Sequence, residues 1–384
     1  MATAEIITIG TELLLGETAD TNTRFIARTL RGLGVDLFRT QTIGDNTGRI
    51  AGTVRLALGR ADIVITTGGL GPTVDDPTRQ AIAEAAGAEL EFHPELWEQI
   101  STRIARYGRT PTENQKRQAF IPKGAVIIEN PVGTAPAFIV ETPHGAVIAL
   151  PGVPREMETL LTDTVVPYLQ KRFDLHSVIK LRTLHVSGLG EGVIDDKVGD
   201  LEVQANPTIG LAAHSGVVDI RIAAKASSDG EADLLILQVE KDLRIRLVEN
   251  IFGADDDTLE DVILRALGQR GWSMASFEFQ TGGTLHSRFA RTGNPTFRGG
   301  KVLPAPPGSL IAEARDVRKE FDASVVLGIV YDATGEQQDI HVAWVTPLGQ
   351  EERQLNYGGH PENAWCWAVN MALDGLRRAL QERE

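Results

Sequence analysis

The feature that most restricts how this 384-residue chain can fold is the alternation of apolar β-type runs and helical repeats between residues 4 and 86. Ala4-Glu-Ile-Ile-Thr-Ile-Gly10 reads as a strand. From about Asn22 a helix follows, with Asp20 or Thr21 as its cap and Phe25, Ile26, Leu30 and Leu33 on one face. Residues 35–43 alternate like a second strand, and Ile50, Val54 and Leu58 return to helical spacing. The apolar run 62–66 is a third strand, and a helical pattern restarts at Thr78. Strand and helix in this rhythm predict a parallel sheet with right-handed crossovers. Ligands of such open sheets collect beyond the carboxyl ends of the strands, so the loops leaving the strands are where function is to be sought.

The loop Thr66-Thr-Gly-Gly-Leu-Gly-Pro-Thr-Val-Asp-Asp-Pro-Thr-Arg79 stands at such a position. Gly68, Gly69 and Gly71 let the backbone approach an anion closely, and Asp75 and Asp76 set carboxylates beside it. Phosphate and carboxylate repel, so the combination makes sense when a divalent cation lies between them. The glycines alone fit an ordinary strand-to-helix turn equally well. Glu12, Asp20 and Asp45 also lie in loops or turns after strands. Each taken singly is most simply a cap or a solvated side chain; several converging on one sheet edge is what a metal-phosphate site would produce.

Further along, His93-Pro94 opens a helix, Lys116 and Arg117 follow a Pro-containing loop, and short strands are expected at 125–128, 137–141 and 146–150. Lys116 and Arg117 read as a solvated pair or as phosphate contacts. Gly133 and Thr134, in Asn130-Pro-Val-Gly-Thr-Ala-Pro, suit a second anion-facing turn. Pro154, Arg155 and Glu156 begin a helix that closes the first domain. Three domains are expected: 1–172, a doubly wound, mostly parallel α/β sheet; 173–253, a small α+β unit; and 254–384, a further α/β domain beginning at the acidic turn Asp255-Asp-Asp.

A net charge of −14 disfavours nucleic acid as a partner. The single cysteine, Cys366, excludes an internal disulfide and any cysteine-rich zinc cluster. No run approaches the about 18 apolar residues of a membrane span, and, with a strand starting almost at once and no basic and apolar leader pattern, no secretory leader is expected. A soluble, cytoplasmic protein is expected, with no membrane partner.

Four ordered motifs give the chain a resemblance to the competence-damage-inducible protein A (CinA) family: Gly10-Thr-Glu-Leu-Leu-Leu-Gly with Asp20-Thr-Asn-Thr, the Thr66 to Thr78 loop, Asn130 to Pro136, and Leu150-Pro-Gly-Val-Pro-Arg-Glu-Met. The resemblance implies a molybdopterin-binding-like first domain that hydrolyses the pyrophosphate of ADP-ribose or a related dinucleotide to AMP and ribose 5-phosphate. It implies a divalent metal such as Mg²⁺, and it singles out Asp76 and Asp45. Asp20 and Asp75, read from the loops themselves, are further expected metal ligands. Gly68, Gly69, Gly71, Thr73, Asn22, Gly133, Thr134 and Arg117 are the expected contacts to the nucleotide. Glu12 and Glu156 are the two acids expected to position water. A homodimer is implied by the same similarity. The alternative is a pterin- or nucleotide-binding protein without turnover, its C-terminal domain a scaffold. That last domain resembles nicotinamide mononucleotide deamidase, with a break in the match: where that family has Glu-Ser-Cys-Thr-Gly-Gly, this chain has Glu278-Phe279-Gln-Thr-Gly-Gly283, without the nucleophilic serine. An inactive deamidase-like domain is expected.

Overall fold

Strand and helix alternate through the first 90 residues of the computed structural model, which describes residues 2–106, 108–143, 145–332, 338–357 and 361–381. The chain divides into two compact units, residues 1–180 with 225–232 and residues 181–224 with 233–384. In the first, β1 (Thr3–Ile9) leads through a single turn α1 (Thr11–Leu14) to α2 (Thr21–Gly32), then β2 (Asp36–Ile43), α3 (Thr47–Leu58), β3 (Ile63–Thr67) and α4 (Thr78–Ala86). The short antiparallel pair β4 (Leu90–Phe92) and β5 (Phe120–Pro122) brackets α5 (Pro94–Arg106) and α6 (Glu113–Lys116). Then come β6 (Val126–Ile128), β7 (Ala137–Thr142), β8 (Gly145–Leu150), α7 (Pro154–Leu160) and α8 (Val166–Phe173).

The main sheet has the order β2-β1-β3-β8-β7-β6; its first four strands are parallel, and β7 and β6 add an antiparallel hairpin edge. Alternation along each strand decides what lies on either side. Ile7 and Val64 face Ile50, Val54, Ile82 and Ile100 of α3, α4 and α5. Ile6, Ile63 and Ile65 face Ile26, Leu30, Leu160 and Leu169 of α2, α7 and α8. Covered on both faces, β3 and β8 are buried along their whole length, which is why they read as continuous apolar runs. Thr8, Thr67 and Leu150 lie side by side in the register, so the loops after β1, β3 and β8 leave the sheet at one edge. Residues 10–20 read as a loop from sequence, but Thr11–Leu14 within them form the one-turn α1.

A second sheet, β10-β11-β9-β12, is built from β9 (Val178–Ser187), β10 (Thr208–His214), β11 (Val217–Ala226) and β12 (Ile251–Ala254), with α9 (Glu191–Glu202) and α10 (Asp229–Leu247) between strands. The last sheet, β14-β13-β15-β16-β17, uses β13 (Met274–Phe279), β14 (Phe297–Val302), β15 (Val325–Asp332), β16 (Gln338–Thr346) and β17 (Gly349–Tyr357). Of its helices, α11 (Leu259–Gln269), α12 (Thr284–Arg291) and α14 (Pro361–Gln381) share one core, and α13 (Leu310–Glu320) packs in another. No described helix is long and apolar enough to cross a membrane.

Candidate functional site

The β3–α4 loop is built by its glycines, each for a different reason. Gly68 (φ 107) and Gly69 (φ 65) occupy the left-handed region, where a side chain is disfavoured. A Cβ on Gly68 would also collide with the Ile9 carbonyl oxygen, and one on Gly69 with the Thr78 hydroxyl. The Thr78 hydroxyl donates to Gly68 O at 2.8 Å, while Gly68 N donates to Leu150 O at 3.1 Å. Gly71 answers a different need: a Cβ there would strike the carboxylate of Asp76.

Asp76 Oδ2 accepts the Thr73 amide at 2.9 Å and the Thr73 hydroxyl as well. That hydroxyl also faces Asp75, and together with Asp75's own amide it holds the exposed Asp75 carboxyl below the usual carboxylate range. Beneath the loop, Arg79 is only 5% exposed and donates to Leu70 O and Gly71 O at 2.7 Å each. Burial pushes its guanidinium down to about 10, against the pull of Asp76 and with a further push from Arg117, so Arg79 stays a cation at neutral pH. A cavity of about 350 Å³ opens here, with Thr47, Thr73, Asp76, Arg79 and Arg117 among its walls. Arg79 was missed in the sequence, although a lone cation in the first turn of a helix opposes the helix dipole and signals a specific partner.

The loops after β1 and β2 repeat the Thr–Asp device. Asp45 Oδ2 accepts the amide of Thr11 at 2.8 Å and its hydroxyl at 2.7 Å, and Asp45 N donates back to Thr11 Oγ1 at 3.2 Å. Thr47, two residues on from Asp45, lines the cavity that holds Asp76. Glu12 stands exposed on α1. Asp20 is the cap of α2: it accepts Thr23 N at 2.9 Å, Thr8 Oγ1 at 2.9 Å and Thr23 Oγ1 at 2.5 Å. Asn22, 7% exposed, pins α2 to the sheet edge by donating to Thr67 Oγ1 at 2.9 Å and Gly152 O at 2.8 Å.

Gly133 and Thr134 line a different cleft, of about 540 Å³, together with Arg103, Arg106 and Asn130. Asn130 organises that loop: its Oδ1 accepts Gly133 N at 2.8 Å and its Nδ2 donates to Glu156 Oε2 at 2.6 Å. Arg103 donates to Gly133 O. The Gly133 amide is therefore already given to a side chain, with the Glu156 carboxylate against its Cα. As it stands, this turn offers an anion little beyond Thr134.

No group of three or more His, Cys, Asp or Glu side chains disposed to hold a metal ion occurs among the described residues. The donors present are hard carboxylate oxygens, and the threonine bonds to Asp45 and Asp76 both fall on Oδ2. Such a set fits Mg²⁺, which takes one or two carboxylates and keeps waters or phosphate oxygens for the rest, better than an all-protein cage.

In the last sheet, Glu278 is fully buried and accepts Leu285 N at 2.9 Å and His286 N at 2.8 Å, so it caps α12 from the neighbouring strand. Phe279 is half-buried and packs against the core that contains Leu310 and Ala314.

Residues 5–171 match the family described as a probable molybdopterin binding domain, and residues 181–253 match the damage-inducible protein CinA KH domain. A CinA-like protein of Synechococcus sp. (strain CC9902) is 41% identical over 306 residues, covering 79% of this chain and 70% of that protein. A protein described as competence-damage inducible from Clostridium botulinum (strain ATCC 19397 / Type A) is 41% identical over 283 residues, 73% of this chain and 69% of the relative. A crystal structure of CinA from Thermoplasma acidophilum, described as of unknown function, is 37% identical and covers 44% of this chain and 97% of that one, with a TM-score of 0.40. With this identity sustained over more than two thirds of its relatives, the chain belongs to the CinA family.

Proposed function

We propose that the N-terminal unit hydrolyses the pyrophosphate bond of ADP-ribose or a related dinucleotide, giving AMP and ribose 5-phosphate. The observation that carries this reading is the threonine-braced carboxylate of Asp76 in one cavity with Arg79 and Arg117, with a second threonine-braced carboxylate, Asp45, two residues before Thr47 of the cavity wall. Thr11 and Thr73 fix the two carboxylates, so little reorganisation is needed when substrate arrives. Arg117 opposes the charge of a diphosphate from the far wall, and Arg79 holds the loop carbonyls that set the floor. A divalent ion held by Asp76 with Asp45, and by Asp75 if it turns inward, would neutralise phosphate oxygens and lower the pKa of an attacking water. Glu12 is the acid for that water's proton, since Glu156 is committed to Asn130.

Purified protein incubated with ADP-ribose and Mg²⁺ should release AMP, and Asp76→Asn should abolish release with an unchanged melting curve. Full metal-dependent turnover by Asp76→Asn overturns the assignment. One rival reading is binding of a nucleotide or pterin without turnover, with the C-terminal domain as a scaffold. That reading predicts a ligand-dependent rise in Tm with no AMP.

We further propose that the C-terminal sheet has no deamidase activity, because Phe279 offers no nucleophilic oxygen at the family's serine position. Nicotinic acid mononucleotide formed from nicotinamide mononucleotide by the intact chain, and lost on substituting residues of that sheet, would be the contrary result.

A further inference from the structure

Helix α13 sorts its charges by face. Arg315, Arg318 and Lys319 share one side at helical spacing, Glu313, Asp316 and Glu320 share another, and Leu310, Ala314 and Val317 are buried. The acidic side is answered within the domain: Glu320 is bonded to Lys301, and the charges of Glu313 and Asp316 act on the same ammonium. The basic side is not. Among the described residues none of its three cations is ion-paired; Arg315 donates to the Gln350 side-chain oxygen at 2.7 Å and Arg318 to Ala323 O at 3.4 Å. The dipole at a helix C-terminus amounts to roughly half a negative charge, too little to account for three cations.

These side chains wall a cavity of about 740 Å³ between the end of α13 and the β16–β17 turn, together with Asp322, Thr346 and Gln350. The turn is braced by the buried Thr346, whose hydroxyl accepts Leu348 N at 3.0 Å and Gly349 N at 3.2 Å. With its oxygen engaged by Arg315, Gln350 has N–H donors left to offer. The register sets this cavity at the sheet edge where β15 begins. Val345 of its wall pairs with Val326, whereas Phe279, at the deamidase-like position, pairs with Val330 near the other end of that strand.

We propose that the cavity binds a phosphate monoester. Its three cations against the single carboxylate of Asp322 leave a surplus of two positive charges. A phosphate monoester, close to doubly negative at pH 7, neutralises that surplus, and a carboxylate or sulfate ester does not. Two guanidinium forks and an ammonium also match three phosphate oxygens in number and geometry. Pro347 and Leu348, exposed on the same wall, give the organic part of the ester an apolar surface to lie on. The volume is that of a small-molecule site.

The test is calorimetric titration of the full-length chain with phenyl phosphate and, at equal ionic strength, with phenyl sulfate, which keeps the ring and the tetrahedral head but carries one charge fewer. Phenyl phosphate should bind at about 1 mM or tighter, and phenyl sulfate about tenfold more weakly. Arg318→Gln with Lys319→Gln should abolish the binding with an unchanged circular dichroism spectrum. Asp322→Asn, which raises the surplus charge, should tighten both ligands several-fold, an effect that a carboxylate with a merely structural role would not have. Arg117→Gln, in the N-terminal cavity, should leave the affinity unchanged. Equal binding of the two ligands overturns the proposal, as does an affinity indifferent to Arg318→Gln with Lys319→Gln. Binding lost in Arg117→Gln alone assigns the ester to the N-terminal cavity and overturns it too.

Discussion

At the scale of single residues, the two kinds of glycine in the β3–α4 loop separate stability from chemistry. Gly68 combines a left-handed φ of 107 with a Cβ direction blocked by the backbone of Ile9, and backbone cannot step aside. Gly68→Ala is expected to cost at least about 2 kcal/mol, read as a lower urea midpoint. Gly71 has an ordinary φ and is blocked only by the movable carboxylate of Asp76. Gly71→Ala should leave the urea midpoint nearly unchanged while lowering ADP-ribose turnover at least about tenfold by displacing Asp76. Equal loss of stability in both variants would contradict the distinction. The sequence marked these glycines for an anion cradle, and composition alone does show that this loop is special. What it hides is the partner of each backbone group: Gly68 O is taken by Thr78, and Gly133 N by Asn130, ten and three residues away. Asp20 shows the same limit, since a cap and a metal ligand look alike until the Thr23 amide is seen to be bound.

At the scale of elements, the pattern that was legible is the one written in hydrophobic period. β1, β3, β8 and their helices follow the apolar spacing because each is covered on a defined face. β14 escaped because Phe-Arg-Gly-Gly-Lys-Val has no alternation; it forms by parallel pairing with β13, and Gly299 admits the ring of Phe321. Buried ion pairs are also invisible to period. In α14, Arg377 and Asp374 are buried and bonded at 2.6 Å, with Arg377 also donating to Glu249 O at 2.8 Å. Arg377→Leu leaves a buried carboxylate with one fewer partner and should cost about 3 kcal/mol in chemical denaturation. Glu240 gives the pH dependence. Burial pushes its carboxyl up, but bonds from Arg182 and Arg244 outweigh this and leave it below the ordinary range. A depressed carboxyl contributes stability that is complete above its unfolded value of about 4.3 and is lost as pH falls through the lower folded value. Urea midpoints of the wild type should therefore fall below about pH 4 more steeply than those of Glu240→Gln, and superimposable acid limbs would refute the assignment.

At the scale of the whole molecule, charge sets the expectation for whether the KH-type region holds nucleic acid. KH modules clamp a nucleic-acid backbone with a glycine-containing loop ahead of a helix, which requires cations and an open groove. Here the turn is Ser187-Gly-Leu-Gly-Glu191, and the helix after it carries Glu191, Asp195, Asp196 and Asp200 on a chain of net charge −14. The turn is also occupied from within its own unit. Arg378 donates to Ser187 O at 3.2 Å, a Cβ on Gly188 would press on that guanidinium, and Trp367 and Met371 wall the adjoining groove. The acidic charge was readable from composition, whereas the closure by α14 joins residues some 190 positions apart and leaves no local trace. A strand of phosphates would meet acidic repulsion where it needs counterion release, beside a turn whose Ser187 carbonyl is already taken by Arg378. Fluorescence anisotropy of a labelled single-stranded RNA of about 12 nucleotides should thus show no binding tighter than about 10⁻⁴ M at physiological salt, the weak end of non-specific affinity. Micromolar binding that weakens as salt is raised would mean that the turn opens and that α14 is displaced from it.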